Sequence, residues 1–326
     1  MRFAFFRPRH SVLTYQSLSD PSHLCHPEPE AKGLAFLFLL IIFTIPAFAA
    51  NLTVAVSLQP YSNVVKEIGG SEVQVVTMLP PGADPHTFEP KPASLREFAK
   101  ATVYFSDGSG MDAAWLPRFK GVNKNINIVS ISKGITWMDE DEHHHHEGEE
   151  HCDKRHHDEH DDDDHEEMDP HLWTSPLQMM QVAENVCEAL MVLDAVNKDL
   201  YRKRANALIF RLKKLDVELR QTINKLPANA KTFIVFHPAY GYFARDYGMK
   251  QLTVEVAGKE PKPRDLMNLA KTGKANNVHI VFVQPQFSKR AAATIAKELD
   301  AKILDTDPLS YDYEGNIRAL IKSIGQ

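Results

Sequence analysis

Cysteine is scarce in this chain: Cys25, Cys152 and Cys187 are the only three in 326 residues. That is too few for a framework of bridges. Cys25 falls in a leader segment, so the remaining two allow one disulfide. Cys152 sits in a charged block where a bridge has little to pin, and it serves equally well as a soft metal ligand; both readings stand. Several catalytic signatures are also missing. The sequence has no His-Glu-x-x-His, no Gly-x-Ser-x-Gly and no P-loop. Asp107-Gly108-Ser109-Gly110 reads as a turn, not a nucleotide fingerprint. No basic run with interleaved aromatics points to nucleic acid. No internal repeat of fixed period is visible, and no uninterrupted apolar run reaches the ~20 residues needed to span a bilayer.

The longest apolar stretch, residues 33–50, reads GLAFLFLLIIFTIPAFAA. Lys32 precedes it, the apolar core runs through Phe43, and Ala47-Phe48-Ala49 supplies small residues for a signal peptidase. The pattern predicts a secretory signal peptide cleaved after Ala49. A membrane anchor is the other reading, and Pro46 and the short run argue against it. Residues 1–31 are odd for an n-region and fit a start codon assigned too far upstream. No Leu-x-x-Cys lipidation box sits at the cleavage point. The mature chain is therefore expected to be soluble, free of a lipid anchor, monomeric and periplasmic.

What is present is unevenly spread. Hydrophobic residues make up 43% and charged residues 25%, as in ordinary globular proteins, and the length suits two domains. Residues 139–167 hold sixteen Asp and Glu against Lys154 and Arg155, so this segment carries −14 of a net −6 and leaves +8 elsewhere. Nine of the sixteen histidines lie there too: His143, His144, His145, His146, His151, His156, His157, His160 and His165. Blocks of like charge rarely fold, so a disordered loop is expected.

On either side, strands and helices alternate, which predicts a parallel α/β arrangement. Strands are expected at 51–57, 73–79, 101–105 and 126–130, with helices at 61–68, 92–99 and 111–119. After the block, Ser175-Pro176 reads as an N-cap with proline at the first helical position, opening a helix to about Leu193. From Asp199 to Leu226, Leu208, Leu212, Leu215, Leu219 and Ile223 form one apolar stripe on a long helix that Pro227 ends. Strands at 232–236, 251–255, 278–283 and 302–304 then alternate with helices at 239–246, 264–274 and 289–299, and a helix at 317–324 closes the chain. The whole reads as two α/β lobes, each with a mainly parallel sheet flanked by helices, joined by one long helix. The expected division is a leader at 1–49, a first lobe at 50–198 carrying the loop, an interlobe helix at 199–226 and a second lobe at 227–326.

Three histidines outside the block share a topological position. His86, His171 and His237 each lie where a predicted strand gives way to loop, the end of an open parallel sheet where ligands bind. Asp307 follows the last strand. Any one of these histidines alone is more readily a turn residue. Three imidazoles and a carboxylate converging on a cleft would make a near-tetrahedral metal site.

At these residues the sequence resembles the periplasmic zinc-binding proteins of ABC importers, relatives of manganese-binding proteins and adhesin-like lipoproteins. The resemblance covers essentially the whole mature chain. It rests on PPGADPHTFEPKP, DPHLWTSP, FHPAYGYFARDYG with EVAGKEPKP, and VFVQPQFS with LDTDPL. It implies two α/β lobes bridged by a rigid helix, with the metal in the interlobe cleft. It places the first three ligands on His86, His171 and His237 and a fourth on Asp307, with Asp305 or water as competitors. Manganese-binding relatives generally put a carboxylate third; a histidine there favours Zn2+ over Mn2+, while Ni2+, Co2+ and Cu2+ also suit imidazole. The implied partners are a membrane permease and its cytoplasmic ATPase, and no reaction is catalysed. The family often carries a histidine-rich acidic loop just ahead of the second ligand motif, and the nine histidines are expected to assist capture or sensing of metal. Imidazole binds metal only when neutral, so affinity is expected to fall below about pH 6. Two alternatives belong to other classes: an exported three-histidine zinc hydrolase, with Glu89 or Asp84 as base, and a metal store or adhesin.

Overall fold

The computed structural model describes residues 52–139, 168–256 and 259–325. The expected signal peptide, Cys25, Cys152 and all nine loop histidines lie outside the described residues. Among those described, no helix is long and apolar enough to cross a membrane.

The first sheet comprises β1 (Leu52–Val56), β2 (Val73–Thr77), β3 (Val103–Ser106) and β4 (Asn127–Ser130), ordered β2-β1-β3-β4 and parallel throughout. The second repeats the plan with β5 (Thr232–Val235), β6 (Lys250–Thr253), β7 (Ile280–Val283) and β8 (Lys302–Asp305), ordered β6-β5-β7-β8. Parallel sheets are covered on both faces, so their central strands read as continuous apolar runs. That is why Thr53–Val56, all of β3 and all of β5 are buried. In both sheets the order reverses beside the first strand, and the crevice at such a switch point opens past the strands' carboxyl ends.

Around the first sheet lie α1 (Gln59–Gly69), α2 (Pro92–Phe98), α3 (Gly110–Val122) and α4 (Pro176–Leu193). Around the second lie α6 (Gly241–Tyr247), α7 (Pro263–Ala275), α8 (Lys289–Leu299) and α9 (Tyr313–Ile324). Between them runs α5 (Lys198–Lys225), 28 residues and about 42 Å long at 1.5 Å per residue. Its buried stripe of Tyr201, Ala205, Leu208, Leu212, Leu215, Leu219 and Ile223 packs against α1 and α4 on one side and α6 and α9 on the other. One apolar core therefore runs unbroken from Val54 to Ile321, while α7 and α8 cover a separate core on the far face of the second sheet. The Arg211 guanidinium on α5 pairs with Glu67 of α1 and, at 2.9 Å, with Glu314 of α9.

Other bonds tie the two halves near the crevice. Trp173 Nε1 donates to the Pro308 carbonyl at 2.9 Å, and Ser175 Oγ and Gln178 Nε2 donate to Asp246 at 2.6 and 2.7 Å. The Tyr242 hydroxyl donates to the Asp169 carbonyl and accepts from Met138 N.

Several boundaries shift by a few residues from the sequence expectation, and two of these shifts have identifiable reasons. Helix α9 begins at Tyr313, four residues earlier, because the Asp312 carboxylate accepts from Gly315 N and caps a turn whose Tyr-Asp-Tyr-Glu-Gly composition reads as loop. Strand β7 begins at Ile280 because Val278 N closes the end of α7 by donating to the Gly273 carbonyl.

Candidate metal centre

Each of the three histidines is fixed by its own loop. His86 follows β2, where Asp84 makes an Asx turn: its Oδ1 accepts from His86 N at 3.0 Å and its Oδ2 from Thr87 Oγ1 at 3.1 Å. His171 opens the short 3₁₀ turn Leu172–Thr174 ahead of α4, and Asp169 Oδ1 accepts from its backbone N at 2.9 Å. His237 follows β5. There the Gln284 side chain accepts from His237 N at 3.2 Å and donates to His237 O at 2.7 Å, and the Phe287 ring stacks on the imidazole at 5.1 Å.

The three rings converge. His237 Nε2 lies 3.1 Å from His86 Nε2 and 3.1 Å from His171 Nε2, and the three atoms fall within 4.8 Å of one another. The far nitrogens are tied to buried carboxylates: His171 Nδ1 to Asp169 at 2.7 Å and His237 Nδ1 to Glu255 at 2.8 Å. A carboxylate oxygen accepts, so Nδ1 donates on each of these two rings, and in the neutral tautomer that this selects, the Nε2 lone pair turns inward, free for a metal. Lone pairs at 3.1 Å repel unless they share an electrophile. Zinc with nitrogen ligands at 2.0–2.1 Å holds them roughly 3.3–3.4 Å apart in a tetrahedron, close to the 3.1 Å from His237 Nε2 to each of the other two rings. The two carboxylates behind the rings hold their orientation.

His171 is buried and His237 nearly so; His86 is the most exposed residue, although its Nε2 points into the cluster. Loss of solvent at that inward edge, with the facing His171 and His237, pushes His86 down to about 3.

The carboxylates named with the histidines behave differently. Asp307 is not in the group within 4.8 Å; its Oδ1 accepts from Leu309 N at 3.0 Å and holds its own turn. Asp305 is exposed and pairs with Lys289 at 2.5 Å. Cys187 is buried in α4 with a free thiol. The sequence reading missed Asp169, Glu255, Gln284 and Phe287. Asp169 was findable from Asp-Pro-His, since an aspartate two residues ahead can close an Asx turn. Glu255 reaches His237 only because β6 pairs with β5.

Two parallel sheets strung on one long helix, with imidazoles from both sides meeting in a small pocket, are the construction of a two-lobed solute-binding protein whose cargo is a metal ion. The comparisons agree. The family model for the periplasmic zinc-uptake complex component A, ZnuA, matches residues 54–326, and the chain belongs to that family. It is 32% identical over 258 residues to the high-affinity zinc uptake system protein ZnuA of Bacillus subtilis, covering 77% of this chain and 76% of that one. It is 26% identical over 247 residues to the manganese ABC transporter substrate-binding lipoprotein PsaA of Streptococcus pneumoniae, covering 74% of each. A crystal structure of a ZnuA deletion mutant with zinc bound superposes with a TM-score of 0.72 at 34% identity, covering 84% of this chain and 96% of that one. The family acts with the permease and ATPase of an ABC transporter, includes manganese-binding members and contains several lipoproteins.

Proposed function

We propose that the mature chain, released by cleavage after Ala49, captures Zn2+ in the periplasm through His86, His171 and His237 and delivers it to an ABC permease. In this reading it acts as a monomer without a lipid anchor and catalyses nothing. One observation carries the proposal: on loops from both sheets, His237 Nε2 lies 3.1 Å from the Nε2 of His86 and of His171, and Nδ1 is already engaged on two of the three rings. An all-imidazole set suits zinc better than manganese, which favours oxygen donors. The acids a hydrolase would recruit are poorly placed. Glu89 is exposed beside Arg118, and Asp84 is occupied in its Asx turn. Asp307 supports the fold of its own turn in this reading, which leaves the fourth position to an outside donor. The histidines of the 139–167 loop act as an accessory capture segment.

Competition against a chromophoric chelator tests the proposal, using full-length mature protein and variants at each histidine. Each single alanine variant should lose most of the zinc affinity and all three should respond alike. Wild-type affinity in any two of them would contradict the assignment.

A further inference from the structure

The three imidazoles provide three of the four donors that tetrahedral zinc takes, and no carboxylate joins their group among the described residues. A fourth side chain nevertheless reaches the same small pocket. Gln286 lines it together with His86, His171 and His237. Its amide nitrogen is buried and has no hydrogen-bond partner among the described residues, which is rare for a strong donor.

The local chain explains how Gln286 is held there. Gln284-Pro285-Gln286-Phe287 forms a turn closed by Phe287 N donating to the Gln284 carbonyl at 3.1 Å, with proline at its second position. Both ends of this turn grip His237: Gln284 through the paired bonds to its backbone, Phe287 through ring stacking. Gln286 is thus fixed at the corner of a turn anchored to one of the metal-facing rings. An amide N–H cannot ligate a metal, because its lone pair is delocalised and its hydrogens point outward. It can donate to an oxygen that does.

We propose that Gln286 is a positioning residue for an exogenous fourth ligand, donating through Nε2 to an oxygen, water or hydroxide, on the bound zinc. The inference rests on the reading of the three histidines as the cargo site. A held oxygen keeps the shell four-coordinate, which favours zinc over metals that take six oxygen-rich ligands. It also leaves that ligand replaceable, which a fixed protein carboxylate would not be.

The test uses the full mature chain loaded with Co2+, whose visible spectrum reports ligand number and type, alongside zinc affinity by chelator competition. Two variants are compared with wild type. Gln286→Met keeps the bulk and removes the donor. Gln286→Glu keeps the shape and replaces the donor with an anionic oxygen that can ligate directly. The expected result for Gln286→Met is a changed cobalt spectrum and zinc affinity lowered about tenfold, with an unchanged melting temperature for the metal-free protein. Gln286→Glu should give a third, distinct spectrum. Wild-type spectra and affinity in both variants would overturn the inference while leaving the cargo site intact. Failure of the wild type to bind either metal would overturn the cargo site, and the inference with it.

Discussion

Glu255 sits behind the ring of His237, one of the three proposed zinc ligands, and removing it isolates what an orienting carboxylate contributes. Its Oε1 lies 2.8 Å from His237 Nδ1, and its side chain is only 8% exposed. In Glu255→Ala the Nδ1 proton has no acceptor in a buried place, and the neutral ring is free to move that proton to Nε2. That tautomer has no lone pair facing the cluster. Carboxylates in this position are worth ~10–100-fold in metal affinity, or about 1.4–2.7 kcal/mol. Glu255→Gln keeps an oxygen acceptor and loses only charge, so its loss should fall at the low end of that range. The assay is zinc competition against a chelator of known affinity, with the melting temperature of the metal-free variants as a control for folding. Wild-type affinity in Glu255→Ala would refute the claim that ring orientation at His237 is held from behind.

Other outcomes follow from the same structure. His237→Ala should weaken zinc binding far more than deletion of residues 140–166, measured by the same competition; equal effects would mean that the principal site lies elsewhere. The metal-free protein should lose stability in acid. His86 stands at about 3 in the folded state against an ordinary 6.5, so between those values the unfolded chain binds a proton that the folded chain refuses. The stability contributed by the neutral ring is full above pH 6.5 and is lost as pH falls toward 3. The urea midpoint should therefore drop from pH 7 to pH 4, and drop less in His86→Asn. Gly70→Ala should destabilise by ~1–3 kcal/mol in denaturant titrations, because Gly70 has φ +61° and ψ −133°. A new Cβ there would also lie 2.5 Å from the Arg204 guanidinium, which pairs with Glu72 at 2.6 Å.

Periodicity made some of this architecture readable in advance. The stripe from Leu208 to Ile223 announced α5, and each of its members is buried. His86, His171 and His237 were legible because each stands where a predicted element yields to loop. The supports behind them were not. Glu255 reaches His237 through the β6-β5-β7-β8 strand order, and Gln286 through a turn after β7; neither neighbourhood is written in linear spacing. Asp307 shows the converse. Its position after β8 resembles that of the histidines after their strands, yet its carboxylate closes the turn to Leu309. Position at a strand end brings a side chain to the crevice, and local hydrogen bonding decides whether it faces in.

Anomalous diffraction at the zinc edge, from crystals of the zinc-loaded mature chain, puts the site itself to the test. A single strong peak should lie between the three Nε2 atoms, about 2.0–2.1 Å from each, with one further oxygen completing the tetrahedron. A principal peak outside that cluster, with His86, His171 and His237 left unligated, would contradict the assignment.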